Sequence, residues 1–225
     1  METVDGRRAR GDESRRALLA LAVQQASVDG LDGLSLGGLA AEGDVSKSGV
    51  ATLFGSKERL QLAVVDAAQA VFREQVIEPA RAHPRGVTRV AALARLWLEY
   101  SRTRVFAGGC FFLEASVEFD ARPGAVRDAL ITSLQSWDGY LTASIQYAID
   151  QGELARLTDA AQLAFELQAF FDHANTASVL LDSEEPYRRA ARAIADRLRF
   201  LGAEEPAISE LVTELGQAPS ATKTL

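Results

Sequence analysis

The chain has 225 residues, 48% of them hydrophobic and 24% charged, enough for one large domain or two small ones with a substantial core. A net charge of −7 argues against a chain coated in polyanion, and the single cysteine, Cys110, excludes an intrachain disulfide. One cysteine and two histidines cannot furnish a Cys/His zinc site, so neither metal nor cofactor is expected. No apolar run reaches the ~20 residues of a membrane span, and the opening "METVDGRRARGDESRR" lacks the apolar centre of a signal peptide. These features set the expectation of a cytoplasmic protein without a membrane partner.

Residues 1–11 are polar and rich in arginine, which predicts a flexible basic arm. From Asp12 to Val28, Leu18, Leu19, Ala22, Val23 and Ala26 recur at helical spacing, with Asp12 or Ser14 placed to cap the start and Gly30 to end the run. "GLDGLS" reads as a turn, and Ser35 stands where an N-cap belongs, ahead of a short helix carrying Leu36, Leu39 and Ala40 to Glu42. Gly43-Asp44 breaks the chain, Ser46 caps a second short helix to Phe54, and Gly55-Ser56 breaks it again. A long periodic helix is predicted from Lys57 to Arg81, with Leu60, Ala63, Val64, Ala67 and Val71 on its apolar face. Further helices are predicted over 87–105, 110–119, 124–152, 158–182 and 186–202, with Pro123 and Pro186 fitting first-turn positions. No stretch alternates with a period of two, so the fold class is all-α. After Glu204 only "ISELVTEL" has helical character, and the last ten residues are expected to be disordered.

Charge is mildly segregated. Residues 1–60 hold eight basic and nine acidic side chains, and the remainder holds 16 and 22. The first segment is therefore the one place suited to an anionic partner. Two short helices around "EGDVS" form the layout of a helix-turn-helix, with residues 46–54 as the recognition element. Such a helix exposes short polar side chains at its N-terminal end, where they enter the major groove. Ser46, Lys47, Ser48 and Thr52 fit that outer face, and Val45, Val50, Leu53 and Phe54 fit the inner one. Gly49 permits close backbone approach, and Lys57 is within reach of a phosphate.

Residues 14–62, through Arg16, Leu19 and "GLDGLSLGGLAAEGDVSKSGVATLFGSKERL", resemble the N-terminal domain of TetR/AcrR-family transcriptional regulators. "FAGGCFFLEASVEFDARPGAVRD" is similar to the C-terminal domain of one branch of that family. The chain departs from the family pattern at three places. Asp44 stands at the usual turn glycine, and Ala51 and Leu53 stand where an aromatic and a histidine are usual. The resemblance implies an all-α chain with a helix-turn-helix DNA-binding domain over 12–56, a ligand-binding and dimerisation domain over 57–203, and a tail over 204–225. It implies a homodimeric repressor that binds a palindromic operator in double-stranded DNA and is released by a small-molecule inducer. The DNA contacts it implies are Arg16, Ser35, Ser46, Lys47, Ser48, Gly49, Thr52 and Lys57.

Among the aromatics and polar groups of the second domain, Trp97, Phe111, Phe112, Glu114, Trp137, Phe170 and His173 are the candidates for ligand contact, with Glu118, Asp172 and Asn175 as further polar candidates. Phe171, Asn175 and Val179 share one helix face at a spacing of four, and Tyr187, Ala191, Ile194 and Leu198 share one at spacings of four, three and four. The resemblance implies a four-helix bundle built from two such helices of each subunit, which makes these two stripes the expected dimer interface. An enzyme is disfavoured: the chain has no Glu-x-x-His, no Gly-rich loop ending in Gly-Lys and no G-x-S-x-G. The alternative is a ligand-binding all-α dimer with weak or lost DNA binding, suggested by Ala51 and Leu53.

Overall fold

Helices account for the regular structure, and no strand occurs among the described residues. The computed structural model describes the backbone of residues 2–216 and the side chains of residues 11–211 and Thr213. The expected disorder of the last ten residues falls, apart from Gly216, outside the described residues. In chain order the helices are α1 (Glu2–Asp29), α2 (Leu36–Glu42), α3 (Lys47–Phe54), α4 (Lys57–Phe72), α5 (Glu78–Arg81), α6 (Val87–Arg102), α7 (Phe111–Phe119), α8 (Ala125–Asp150), α9 (Ala160–Leu181), α10 (Glu185–Leu201) and α11 (Glu205–Gly216).

Three expectations about these elements need correction. The segment expected as an arm is the first part of α1, because residues 2–11 contain helix-forming Glu, Arg and Ala and no proline to stop the helix. The expected continuous helix over 57–81 is interrupted by a π-helical turn, Arg73–Ile77. Pro79 explains the break: it cannot donate to the turn before it, so the wide turn precedes it and the helix restarts with the proline in its first turn. The helix expected over "ISELVTEL" is present but is longer, Glu205–Gly216, and is packed rather than part of a loose tail, with Ile208 and Leu211 buried and α11 lying against α6 and α10.

The chain divides into two compact units. The first comprises Met1–Phe72 and Phe106–Gln135, the second Arg73–Val105 and Ser136–Leu225. This division differs from a boundary at residue 56, because α7 and the start of α8 pack with the N-terminal helices. In the first unit Leu18, Ala22, Val23 and Ala26 of α1 meet Leu39, Val50, Phe54, Leu60 and Val64 in a buried core. The loop before α7 runs directly over α1. A Cβ on Gly108 would stand 1.7 Å from the Ser27 carbonyl oxygen, so only glycine fits. The Ser27 hydroxyl accepts the Gly108 N–H, and the Gln24 side-chain oxygen accepts that of Ala107.

The second unit centres on α6, which buries Leu93, Ala94, Trp97 and Leu98. Trp97 stacks on Phe171 of α9 with 4.6 Å between ring centroids. A buried polar chain joins α6, α9 and α10. Ser101 donates to Asn175 Oδ1 at 2.7 Å, so the 2.7 Å bond between Ser101 Oγ and Tyr187 must use the tyrosine proton. Arg104 then donates to the Tyr187 oxygen and to Ser178 Oγ, and its backbone holds a left-handed φ of 54°. The hydroxyls of Ser101, Tyr187 and Ser178 each have a partner in this network, which fixes how α9 and α10 face α6.

Candidate nucleic-acid interface

The site is built on α2 and α3. Ser35 caps α2 by accepting the Gly38 N–H, and Ser46 caps α3 by accepting that of Gly49 at 3.1 Å. Each cap stabilises its helix by about 1 kcal/mol. The turn between them explains the departure at Asp44. Asp44 adopts the left-handed conformation, φ 50°, that short polar side chains tolerate. The glycine one place earlier serves another purpose, since a Cβ on Gly43 would stand 2.5 Å from Leu18 Cδ2. Val50 and Phe54 anchor α3 inward, and the Arg15 guanidinium lies 5.0 Å over the Phe54 ring. Leu53 is half-buried, whereas Val45, expected inward, keeps 38% of its surface exposed because it lies in the turn before the helix begins.

Ser46, Lys47, Ser48, Ala51 and Thr52 are all exposed, and Gly49 lies between them. Ser35 is exposed at the head of α2, and Arg16 is exposed on α1, with its Nε 3.4 Å from the Asp12 carbonyl. Lys57 is otherwise engaged: its ammonium donates to the Asp32 carbonyl at 2.6 Å and to the Asp32 carboxylate at 2.8 Å. Arg122 holds the other Asp32 oxygen at 2.9 Å. The hydrogen bonds from Lys57 and Arg122 lower the Asp32 pKa below its ordinary value.

The same turn is clamped from α7 and α4. Glu118 accepts the N–H of Leu31 at 2.7 Å and of Asp32 at 2.8 Å, one with each carboxylate oxygen. The buried Gln61 side chain donates to the Leu31 carbonyl. Sequence reasoning missed Asp32 and Arg122, and read Glu118 only as a polar candidate for ligand contact. Their one legible signal is Gly30, whose φ of 77° marks a turn presenting consecutive N–H groups.

The candidate ligand contacts fall in both units. Phe111 is fully buried in the first, edge-on to Phe106 and to the half-buried Phe112, while Glu114 is exposed. Trp97 in the second unit is core, and Trp137 is half-buried. Phe170 and His173 come together, lining an open groove of about 450 Å³ between α9 and α10 with Ala177, Leu181 and Pro186.

The expected dimer stripes face the other way. Phe171, Asn175, Tyr187, Ala191, Ile194 and Leu198 are buried within their own unit, the first three by the ring stack and polar chain around α6. Val179 alone of the set is exposed, at 39%. Outward-facing apolar surface is supplied instead by Phe165, Leu180, Leu181 and Phe200. Among the described residues no group of three or more His, Cys, Asp or Glu side chains could hold a metal ion, and no helix is long and apolar enough to cross a membrane.

Residues 86–194 match the family model for the tetracyclin repressor-like C-terminal domain. A comparison with curated protein sequences finds no match. Among solved structures, the chain is similar to a TetR transcriptional regulator from Chloroflexus aurantiacus J-10-FL, with 25% identity, a TM-score of 0.74, and coverage of 93% of this chain and 97% of that one. It shares its fold with a TetR-family regulator from Cytophaga hutchinsonii, at 19% identity, TM-score 0.74, and 87% and 98% coverage. It also shares it with AibR in complex with isovaleryl coenzyme A and operator DNA, at 22% identity, TM-score 0.62, and 72% and 86% coverage.

Proposed function

The chain is a member of the TetR family of transcriptional regulators, and from that premise we propose that it is a homodimeric repressor, bound to a palindromic operator and released by a small molecule. The observation that carries the DNA-binding part is α3: an eight-residue helix, capped by Ser46, pinned by Val50 and Phe54, and exposing Ser46, Lys47, Ser48 and Thr52 at its N-terminal end. That is the chemistry a recognition helix brings to a major groove. AibR was solved with both an acyl-coenzyme A and operator DNA, which supports a two-ligand regulator for this chain as well.

Two copies present their α3 helices to successive major grooves, about 34–36 Å apart. The dimer face proposed is the exposed apolar surface of α9 and α10, with Phe165, Val179, Leu180, Leu181 and Phe200. An inducer that binds one conformer better lowers operator affinity by linkage. Mobility shift of the duplex upstream of the protein's own gene tests this reading. Salt-sensitive, sequence-preferring retardation is the expected result, and equal binding to scrambled DNA overturns it. The second reading, a ligand-binding dimer without DNA affinity, draws on Lys57, whose ammonium is committed to Asp32. It predicts ligand binding with no retardation of any duplex.

A further inference from the structure

The outer face of α3 has few hydrogen-bond donors left to offer. Thr52 Oγ1 donates its one proton to the Ser48 carbonyl at 2.8 Å, which leaves acceptor lone pairs and a γ-methyl unengaged. Ser46 Oγ accepts the Gly49 N–H and shares a 3.2 Å hydrogen bond with Ser48 Oγ, so one of the two serine protons is spent within the helix cap. Lys47 leans toward the neighbouring helix: its Cε and Nζ lie 3.6 and 3.8 Å from where a Cβ would stand on Gly37 of α2. Ala51, exposed one turn beyond Lys47 and Ser48, has no polar side-chain atom at all.

Guanine and adenine are read in the major groove chiefly by bidentate side chains, and thymine is distinguished by its C5-methyl group. The exposed part of α3 between Ser48 and Thr52 contains no bidentate side chain and carries two methyl-bearing residues. We propose that Ala51 and Thr52 are specificity-determining residues that pack their methyl groups against thymine methyls in each operator half-site, while Lys47 contacts the phosphate backbone and sets register. This rests on the DNA-binding reading above. It assigns sequence choice to apolar contact at the very position where the family pattern has an aromatic.

The test begins with selection of the preferred duplex from a random library by the full-length protein. Each thymine of the selected half-site is then replaced singly by uracil, which removes the methyl group and keeps every hydrogen-bonding atom. Fluorescence anisotropy at fixed salt is expected to show about fourfold weaker binding for uracil at one or two positions per half-site, the size of one methyl's burial. Ala51→Gly is expected to abolish the uracil penalty at one of those positions and leave the other intact. Tight, sequence-preferring binding with uracil tolerated everywhere overturns the inference and leaves the regulator reading standing. Selection of no preferred duplex overturns both.

Discussion

Replacing Glu118 with alanine tests the clamp on the α1–α2 turn. The carboxylate accepts two consecutive backbone N–H groups, those of Leu31 and Asp32. Leu31 has 0% of its surface exposed, so its N–H cannot turn to water once the carboxylate is gone, and an orphaned buried donor costs about 1–3 kcal/mol. The Asp32 N–H is exposed and regains a water partner, so its loss costs about 1 kcal/mol or less. The sum is about 1–4 kcal/mol. For a chain of this size, at about 2–4 °C per kcal/mol, that lowers the melting temperature by roughly 2–16 °C. Thermal unfolding followed by far-ultraviolet circular dichroism reads it out. Glu118→Gln keeps the volume but turns an amide NH₂ toward one of the two donors, and is expected to lose about half as much. Arg122→Ala is the control: it removes ion pairs to Asp32 and Glu118 and the guanidinium 5.5 Å over the Phe119 ring, each worth about 1 kcal/mol or less, and leaves both Glu118 hydrogen bonds to the turn in place. If Glu118→Ala melts within about 1 °C of the parent, or no lower than Arg122→Ala, the two-donor argument is wrong.

Four further outcomes follow from the same structure. Ser46→Ala removes the α3 cap and is expected to lower stability by about 1 kcal/mol, seen as a lower urea midpoint with an unchanged slope. Gly108→Ala forces a Cβ to within 1.7 Å of a backbone oxygen and is expected to cost about 3 kcal/mol or more, checked by soluble yield and denaturant unfolding. The folded pKa of Asp32 is depressed below 3.8, so its contribution is present above that pH and lost as pH falls through the folded value. Asp32→Asn should therefore flatten the acid end of a stability-versus-pH curve measured by urea unfolding. Leu180→Glu places a charge on the exposed apolar surface of α9 and is expected to shift the sedimentation coefficient from dimer to monomer with helicity retained.

Helix positions were legible because caps and breakers act locally. Ser35 and Ser46 stand at caps, and Gly30, Gly55 and Gly202 take positive φ at helix ends. The outward face of α3 was legible from its short polar side chains and the inward pair Val50 and Phe54, although Val45, expected inward, is exposed. What could not be read was which face of α9 and α10 turns inward. Both helices are apolar on more than one side: Phe171 and Phe165, six residues apart, end up buried and exposed respectively. The choice is made by Ser101 and Arg104, more than 70 residues away. The Glu118 clamp was hidden for the same reason, since it closes a separation of 87 residues. Local sequence carries no trace of a partner that distant.

The interleaving of the two units bears on how the protein comes off the ribosome. When residues through Phe72 have emerged, α1 to α4 are complete, yet the turn at Leu31 lacks Glu118, and α1 lacks the loop that lies against Ser27. The first unit must wait for Gln135, by which time Arg73–Val105 of the second has already been made. The helix-turn-helix is thus an early product held in suspense rather than a detachable head. A gene fragment cut at residue 56 or 72 would deliver its helices without the strut that steadies them. A chimera meant to transplant the proposed DNA preference would have to carry residues 106–135 along with the N-terminus.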